Sequence, residues 1–456
     1  MIFQRNVNKV LLDWKKKENR KPLVVRGARQ VGKTFAIKAF AEKEFKSCIY
    51  INLDKSDNLS LFDRISPIQE VIQMVELKYN QRVTAGDTII FFDEIQNSPV
   101  AMSQLRYFYE EMPSLHIIAA GSLLEIKMKR EGFSFPVGRV EYCYMFPVTF
   151  DEFLMALNEN ELSGYIENIT INSQIPDGIH EMLMKRFREY VLVGGMPEAV
   201  AQYSIRKSFL DVDPVYESIL TGFKNDVYKY ARDAKTKYLQ YVIEHASRYV
   251  GLPVKYERFG GSSFKSREMS DAFDTLEKSM IINRVYPVST NKIPLMHNLK
   301  KSPKLVFLDV GLINYQMGFR TDIMNVEDLN AVFNGQISEQ IVGQTLLALN
   351  HSTNQRLAFW YRERKGSTSE IDYLIVYGNN KAIPLEVKSG KTGKLKSLHV
   401  FMEEGGNDIA VRVHSGNLCV DALYTSSGNE FTLISVPFYL LHRIKELLDG
   451  YFPQKM

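Results

Sequence analysis

Cysteine is scarce in this chain of 456 residues: Cys48, Cys143 and Cys419 lie far apart and share no metal-ligand spacing. That excludes a cysteine-based metal site and leaves three thiols expected to be free, buried and in a reducing compartment. Long apolar runs are missing as well. None reaches the roughly 18 residues of a membrane span, and the N-terminal MIFQRNVNKVLLDWKKK mixes polar with apolar residues and leads to no cleavage site. A cytoplasmic protein with no membrane partner is the expectation. Charge of one sign is in short supply too, because 57 Lys and Arg stand against 53 Asp and Glu, a net +4. So mild a basic balance is compatible with nucleic acid without pointing to it. What is present is an ordinary globular mixture, 45% hydrophobic and 24% charged, in a chain long enough for about two to four domains.

The segment PLVVRGARQVGKTFAIKAFAEK reads as a short buried strand, a glycine-bounded loop and an amphipathic helix. Its loop fits G-x-x-x-x-G-K-[ST] as Gly27, Ala28, Arg29, Gln30, Val31, Gly32, Lys33 and Thr34. Glycines let the backbone wrap around phosphates and aim its N–H groups at them, and the helix N-terminus adds partial positive charge. Lys33 should reach the β- and γ-phosphates, and the Thr34 hydroxyl should ligate Mg²⁺. Such a loop needs a second strand ending in a carboxylate, and DTIIFFDEIQNSP supplies one in Ile89–Phe92 followed by Asp93 and Glu94. Asp93 can hold the Mg²⁺ shell while Glu94 polarises the attacking water. A third strand, in LHIIAAGSLLE, ends at Ser122, whose hydroxyl is a candidate γ-phosphate sensor. Arg139 follows a loop holding Gly132, Pro136 and Gly138. It either stabilises transition-state charge, in its own or a neighbouring subunit, or pairs with an acidic residue in the same chain.

RGARQVGKT, FFDEIQ, AAGSLLE, GRVEYCYMFPVTFDEF and YVLVGGMPEAV together resemble the AAA+ ATPases, specifically a prokaryotic family in which an AAA domain precedes a DUF4143 domain. The resemblance continues through FLDVGLINYQMG and IDYLIVYG…IPLEVKSGK and implies ATP binding and hydrolysis, with no defined physiological substrate.

From about Ile179 the pattern is helical, broken by GGMP at Gly194–Pro197, a flexible point where a lid can respond to nucleotide. Further on, Met269, Phe273, Leu276 and Met280 mark a helix face, and a strand, a short polar turn at Ser289–Lys292 and a second strand in KLVFLD follow. Helices leading into a hairpin suggest a winged-helix module. Lys265, Arg267, Lys278, Arg284, Lys292, Lys300, Lys301 and Lys304 are its candidate DNA-phosphate contacts, with solvated surface charge as the alternative.

Near the end, SEIDYLIVYGNNKAIPLEVKSG puts Asp372 on one apolar strand and Glu386 and Lys388 on the next. Strand alternation points Glu386 and Lys388 to one side, and a helix in NGQISEQIVGQTLLALN offers Glu339. Unpaired buried charge costs several kcal/mol, so the cluster makes sense around a metal. Carboxylate oxygens suit Mg²⁺ or Mn²⁺, and a bound water of lowered pKa then attacks a phosphodiester with the lysine assisting. Glu339, Asp372, Glu386 and Lys388 resemble the signature of the PD-(D/E)xK nuclease superfamily, which includes restriction-endonuclease-like and Holliday-junction resolvase-like members. The competing reading is an ion pair between Lys388 and Glu386 or Asp372. Lys391, Lys394 and Lys396 follow as a candidate basic rim, and VPFYLLHRIKELL as an amphipathic helix.

The expected fold class is therefore α/β: a P-loop AAA+ parallel-sheet domain (1–165), a helical lid (166–234), a winged-helix-like module (235–325) and a restriction-endonuclease-like α/β domain (326–456). ATP with Mg²⁺ is the expected cofactor, Mn²⁺ an option at the second cluster, DNA the expected partner and a homo-oligomer the expected assembly. Two functions remain open. One is ATP-dependent DNA processing by a metal-dependent nuclease-like domain. The other is an ATP-driven switch, similar to STAND-type signalling ATPases, whose C-terminal domain only binds nucleic acid or a protein.

Overall fold

Five short strands build the first sheet, in a computed structural model that describes residues 4–122, 124, 136, 138–230, 233–318, 335–352, 356–364, 367–378, 381–390, 395–405 and 407–452. They are β1 (Leu23–Arg26), β2 (Ser47–Asn52), β3 (Thr88–Asp93), β4 (His116–Gly121) and β5 (Glu141–Tyr144). Among the described residues they run parallel in the order β2-β3-β4-β1-β5. Both faces are covered, which is why β3 is apolar along nearly its whole length. Alternate side chains serve the two faces: Ile89 and Phe91 pack with Ile37 and Phe40, and Ile90 and Phe92 with Val71, Leu105 and Phe108. The covering helices are α1 (Val7–Lys16), α2 (Lys33–Glu44), α3 (Ile68–Tyr79) and α4 (Pro99–Glu111). This is the P-loop AAA+ parallel sheet that the motifs indicated.

A capping box formed by Thr149 and Glu152 opens α5 (Phe150–Ala156). It is followed by α6 (Asn160–Glu167), α7 (Asp177–Val193), α8 (Pro197–Arg206), α9 (Asp213–Tyr230) and α10 (Asp233–His245). The helical path breaks between Val193 and Pro197, where Gly194 takes a φ of +83° that only glycine accepts without strain. Next comes α11 (Ser266–Lys278), with Met269, Phe273 and Leu276 buried as the spacing required, then β6 (Ile282–Val288), β7 (Lys304–Phe307) and α12 (Val310–Met317).

The helix-then-hairpin order is present, but its strands do not stand apart as a wing. β6 pairs antiparallel with β7 and parallel with β8, so the hairpin forms one end of the larger sheet. Its connection runs from 289 to 303 instead of the short turn expected. The remaining elements are α13 (Gly335–Ala348), β8 (Ala358–Arg364), β9 (Ser367–Tyr377), β10 (Lys381–Val387), α14 (Lys396–Glu403), β11 (Ile409–His414), β12 (Cys419–Tyr424), β13 (Glu430–Pro437) and α15 (Ile444–Tyr451). Among the described residues the mixed sheet runs β12-β13-β11-β10-β9-β8-β6-β7. The C-terminal amphipathic helix is shorter than its sequence pattern, because Val436 and Pro437 finish β13 and Phe438–Arg443 is a 3₁₀ helix. The buried-thiol expectation holds for Cys143 alone; Cys48 is half-buried and Cys419, on the edge strand, is exposed.

The two sheets share packing. Phe187 of α7 stacks on Phe438 at a ring separation of 5.6 Å. The Tyr144 amide donates to the His351 carbonyl at 2.7 Å, so β5 touches the turn after α13 directly.

Candidate nucleotide site and carboxylate cluster

The loop between β1 and α2 follows the C-terminal end of β1 and meets Asp93 and Glu94 at the end of β3, while Ser122 follows β4, the strand paired with β1. Glycine is required at 27 because a Cβ would come 2.4 Å from the Met145 carbonyl oxygen. Gly32 enters α2 with a φ of +90°, and a Cβ there would sit 3.4 Å from Pro197 at the lid break. Lys33 is buried, and its ammonium donates to the carbonyls of Gly27 at 3.1 Å and Ala28 at 2.8 Å. Burial lowers its pKa to about 8, partly offset by the charges of Glu94 and Asp93, while Arg29 lowers it further.

Asp93 is the polar centre of the site. Its Oδ2 accepts from Thr34 Oγ1 and from the Tyr50 hydroxyl, both at 2.9 Å, and its Oδ1 accepts from the Glu94 amide at 3.1 Å. Thr34 and Asp93 thus present adjacent hard oxygens, the donor set that suits Mg²⁺. Glu94 sits in the left-handed region with φ +53° and takes a hydrogen bond from the Gln96 amide. Ser122 lies one residue past β4, and a Cβ on the preceding Gly121 would come 2.3 Å from Gln96 Oε1. Arg139 pairs with Glu110 of α4 at 2.7 Å, which is the in-chain alternative, although both side chains remain partly exposed.

Four contributors, Tyr50, Gln96, Arg5 and Asp226, were not readable beforehand. Tyr50 on β2 and Gln96 hold the two acidic residues. Arg5, before α1, donates to the carbonyls of Val31 at 3.1 Å and Phe146 at 2.8 Å and pairs with Glu152, clamping the phosphate loop from behind. Arg29 pairs with Asp226 of α9, so the same loop is tied to the helical region.

A second polar centre lies where that region meets the mixed sheet. Asp309 is fully buried, 0% exposed. Its Oδ1 accepts from Tyr216 at 3.0 Å and Gly311 N at 3.0 Å, and its Oδ2 from Gly195 N at 2.6 Å and Gln344 Nε2 at 3.2 Å. Gly195 in turn accepts through its carbonyl from the Val148 amide at 2.7 Å. Burial raises the Asp309 pKa, and the donated bonds oppose the rise.

The C-terminal candidates do converge, but around protein cations. The Lys388 ammonium contacts Glu386 Oε1 at 2.6 Å, and Asp372 Oδ2 accepts from the Val387 amide at 2.7 Å. Lys304 enters from β7 across the Phe359 ring, placing its ammonium 2.8 Å from Glu339 Oε2, 2.5 Å from Glu370 Oε1 and 3.8 Å from Asp372 Oδ1. Glu339 is pushed up to about 8 and Glu386 to about 7, in each case by burial and then by the charge of Asp372, with the lysines opposing. Asp372 is raised by burial. Burial alone would lower Lys304, but Glu339, Asp372 and Glu370 outweigh it and hold it protonated. Glu386 Oε2 is buried without a hydrogen-bond partner. Among the described residues no three acidic, histidine or cysteine side chains are arranged to hold a metal ion, so the expected ligand set of Glu339, Asp372 and Glu386 does not fit one in this arrangement.

The DNA-contact expectation also changes. Lys304 is buried, and Arg284 is buried against Glu277 and Asp274, so neither reaches a phosphate backbone. Lys301 pairs with Glu363 at the surface, while Lys265, Arg267, Lys278, Lys292 and Lys300 are exposed. Lys396 is exposed at the start of α14; Lys391 and Lys394 lie outside the described residues.

Family models match three stretches: an AAA domain over residues 19–154, a domain of unknown function (DUF8612) over 184–323 and a domain of unknown function (DUF4143) over 334–439. No curated protein matches. Among solved structures, the chain is similar to a Walker-type ATPase of Pyrococcus abyssi, with 17% identity, a TM-score of 0.42 and coverage of 69% of this chain and 96% of that one. It is also similar to the RuvB Holliday junction branch migration motor of Thermotoga maritima, with 15% identity, a TM-score of 0.28 and coverage of 65% and 93%. A third is the ORC2 protein of Aeropyrum pernix, with 10% identity, a TM-score of 0.28 and coverage of 71% and 96%. Likenesses this distant assign no substrate or partner. No helix among the described residues is long and apolar enough to cross a membrane.

Proposed function

For a chain that is an AAA-class P-loop ATPase with a C-terminal DUF4143 domain, we propose the role of an ATP-driven switch. ATP and Mg²⁺ bind at Gly27–Thr34, Asp93 and Ser122, and Glu94 orients the water for hydrolysis. Thr34 and Asp93 would hold Mg²⁺, which would supply charge neutralisation at the phosphates. Arg139, released from Glu110, acts on nucleotide across a homo-oligomer interface. Exposed cations of the preceding module, such as Lys265, Arg267 and Lys292, engage nucleic acid, and the C-terminal domain does not cut it.

One observation carries this reading. The buried Asp309 carboxylate bonds at once to the lid break (Gly195), to α9 (Tyr216) and to the C-terminal helix α13 (Gln344). Any nucleotide-driven shift at the Gly194–Pro197 break, which abuts Gly32, must rearrange a contact with the C-terminal domain. An unpaired buried carboxylate is costly, so such a junction favours discrete arrangements over gradual ones.

The nuclease reading stands second, favoured by the partnerless Glu386 Oε2 and opposed by the lysines in its cluster. The test incubates wild type, Asp372→Ala and Lys33→Ala with branched, single-stranded and duplex DNA, with Mg²⁺ or Mn²⁺ and with or without ATP. We expect ATP hydrolysis and ATP-dependent DNA binding, both lost in Lys33→Ala, and no cleavage. Cleavage lost only in Asp372→Ala overturns the switch in favour of the nuclease.

A further inference from the structure

Four carboxylates, those of Glu339, Glu370, Asp372 and Glu386, meet at α13 and the middle strands β9 and β10 of the mixed sheet with two lysines among them. The two lysines enter differently. Lys388 reaches back only to Glu386, on its own strand, and is partly exposed. Lys304 is 4% exposed and comes from β7, on the far side of β6 and β8 from the acidic strand β9. Its ammonium lies within ion-pair distance of a helix carboxylate and two strand carboxylates, so one group bridges elements that no backbone pairing joins.

We infer that Lys304 is a resident cation that takes the place of a divalent metal in this cluster, so that the cluster holds the β7 hairpin to α13 and β9 and binds no metal while Lys304 is seated. Geometry supports the exclusion. Carboxylate oxygens close on Mg²⁺ to about 2.0–2.1 Å and on larger hard cations to about 2.3–2.6 Å, whereas around Lys304 they stand 2.5 to 3.8 Å away. An ammonium is satisfied by three diverging acceptors, and a metal would have to share the space with a fixed positive charge. Glu386 gives the test its handle. Its Oε2 is buried and unpartnered, so a carboxylate oxygen stands ready for a metal once the Lys304 ammonium is removed. Lys304 also lies five residues before Asp309, on the strand that leads into the polar junction. The same shift that rearranges Asp309 therefore bears on the seat of Lys304.

This inference rests on the reading of the C-terminal domain as a non-cleaving module and is tested apart from it. Mn²⁺ binding to nucleotide-free protein is followed by loss of the free-ion electron paramagnetic resonance signal, with Glu386→Gln as the subtraction control for this site. Wild type should show no uptake that depends on Glu386. Lys304→Ala and Lys304→Gln should each gain one Mn²⁺ per chain, at least tenfold tighter than wild type, abolished by adding Glu386→Gln. Their melting temperatures should fall without Mn²⁺ and recover with it. One Glu386-dependent Mn²⁺ in wild type overturns the inference, and so does a folded Lys304 variant that gains none. If both variants fail to fold, the wild-type titration decides alone. A wild type that takes up no Mn²⁺ yet relays no nucleotide signal keeps this inference and removes the switch.

Discussion

Asp93 shows how few residues the nucleotide chemistry needs and how many hold them. Thr34, Tyr50 and the Glu94 amide all donate to it, so the carboxylate is set before any nucleotide arrives. Lys33→Ala should abolish ATP binding, measured with a fluorescent analogue. Glu94→Gln should keep the affinity and slow phosphate release by about 10²–10⁴-fold, the usual contribution of a positioned base. The phosphate loop was legible in the sequence because its ligands are consecutive residues whose spacing is itself the signal. Lys304 was not. Its partner Glu339 lies 35 positions away, and in sequence a lysine that bridges three carboxylates looks the same as a lysine in water. Arg284 was misread in the same way, and Asp309 went unremarked because the partners that make it a junction, Gln344, Tyr216 and Gly195, lie 35, 93 and 114 positions away.

Among the elements, the lid break and β4 make the sharpest predictions. A Cβ on Gly195 would come 2.4 Å from the Val148 oxygen, and Asp309→Ala removes the acceptor shared by four donors, of which Tyr216 keeps the Val193 carbonyl at 2.6 Å. The Asp309 change should cost on the order of 3 kcal/mol in urea unfolding, since buried donors left unsatisfied cost about 1–3 kcal/mol each and the site relaxes in part. β4 opens with His116, enclosed by Trp14 and Phe45. Burial, and then the charge of Arg20, lowers its pKa from 6.5 to about 4. The unfolded chain therefore takes up a proton that the folded one refuses, and stability falls as pH drops from about 6.5 to about 4. His116→Gln should flatten that acid limb, read from urea midpoints at pH 7 and 4.5. Periodicity revealed these helices and strands, yet it left open where the β6–β7 hairpin goes. Its membership of the mixed sheet is decided by pairing with β8, more than sixty residues later.

For the whole molecule, the two halves are joined by Arg29–Asp226, by Tyr144–His351 and by the Asp309 junction. Nothing in composition or motif spacing announces these contacts, because each pairs residues from distant stretches that chain folding alone makes neighbours. They are the reason for reading the ATPase as a switch whose output lies in residues 334–439. The measurement that bears on this most directly is amide hydrogen exchange on the Glu94→Gln protein with and without ATP, repeated in Asp309→Asn. ATP should change protection in α13 and β10 as well as around the phosphate loop, and Asp309→Asn should keep the local change while losing the distant one. A response confined to the nucleotide site in both proteins would contradict the switch.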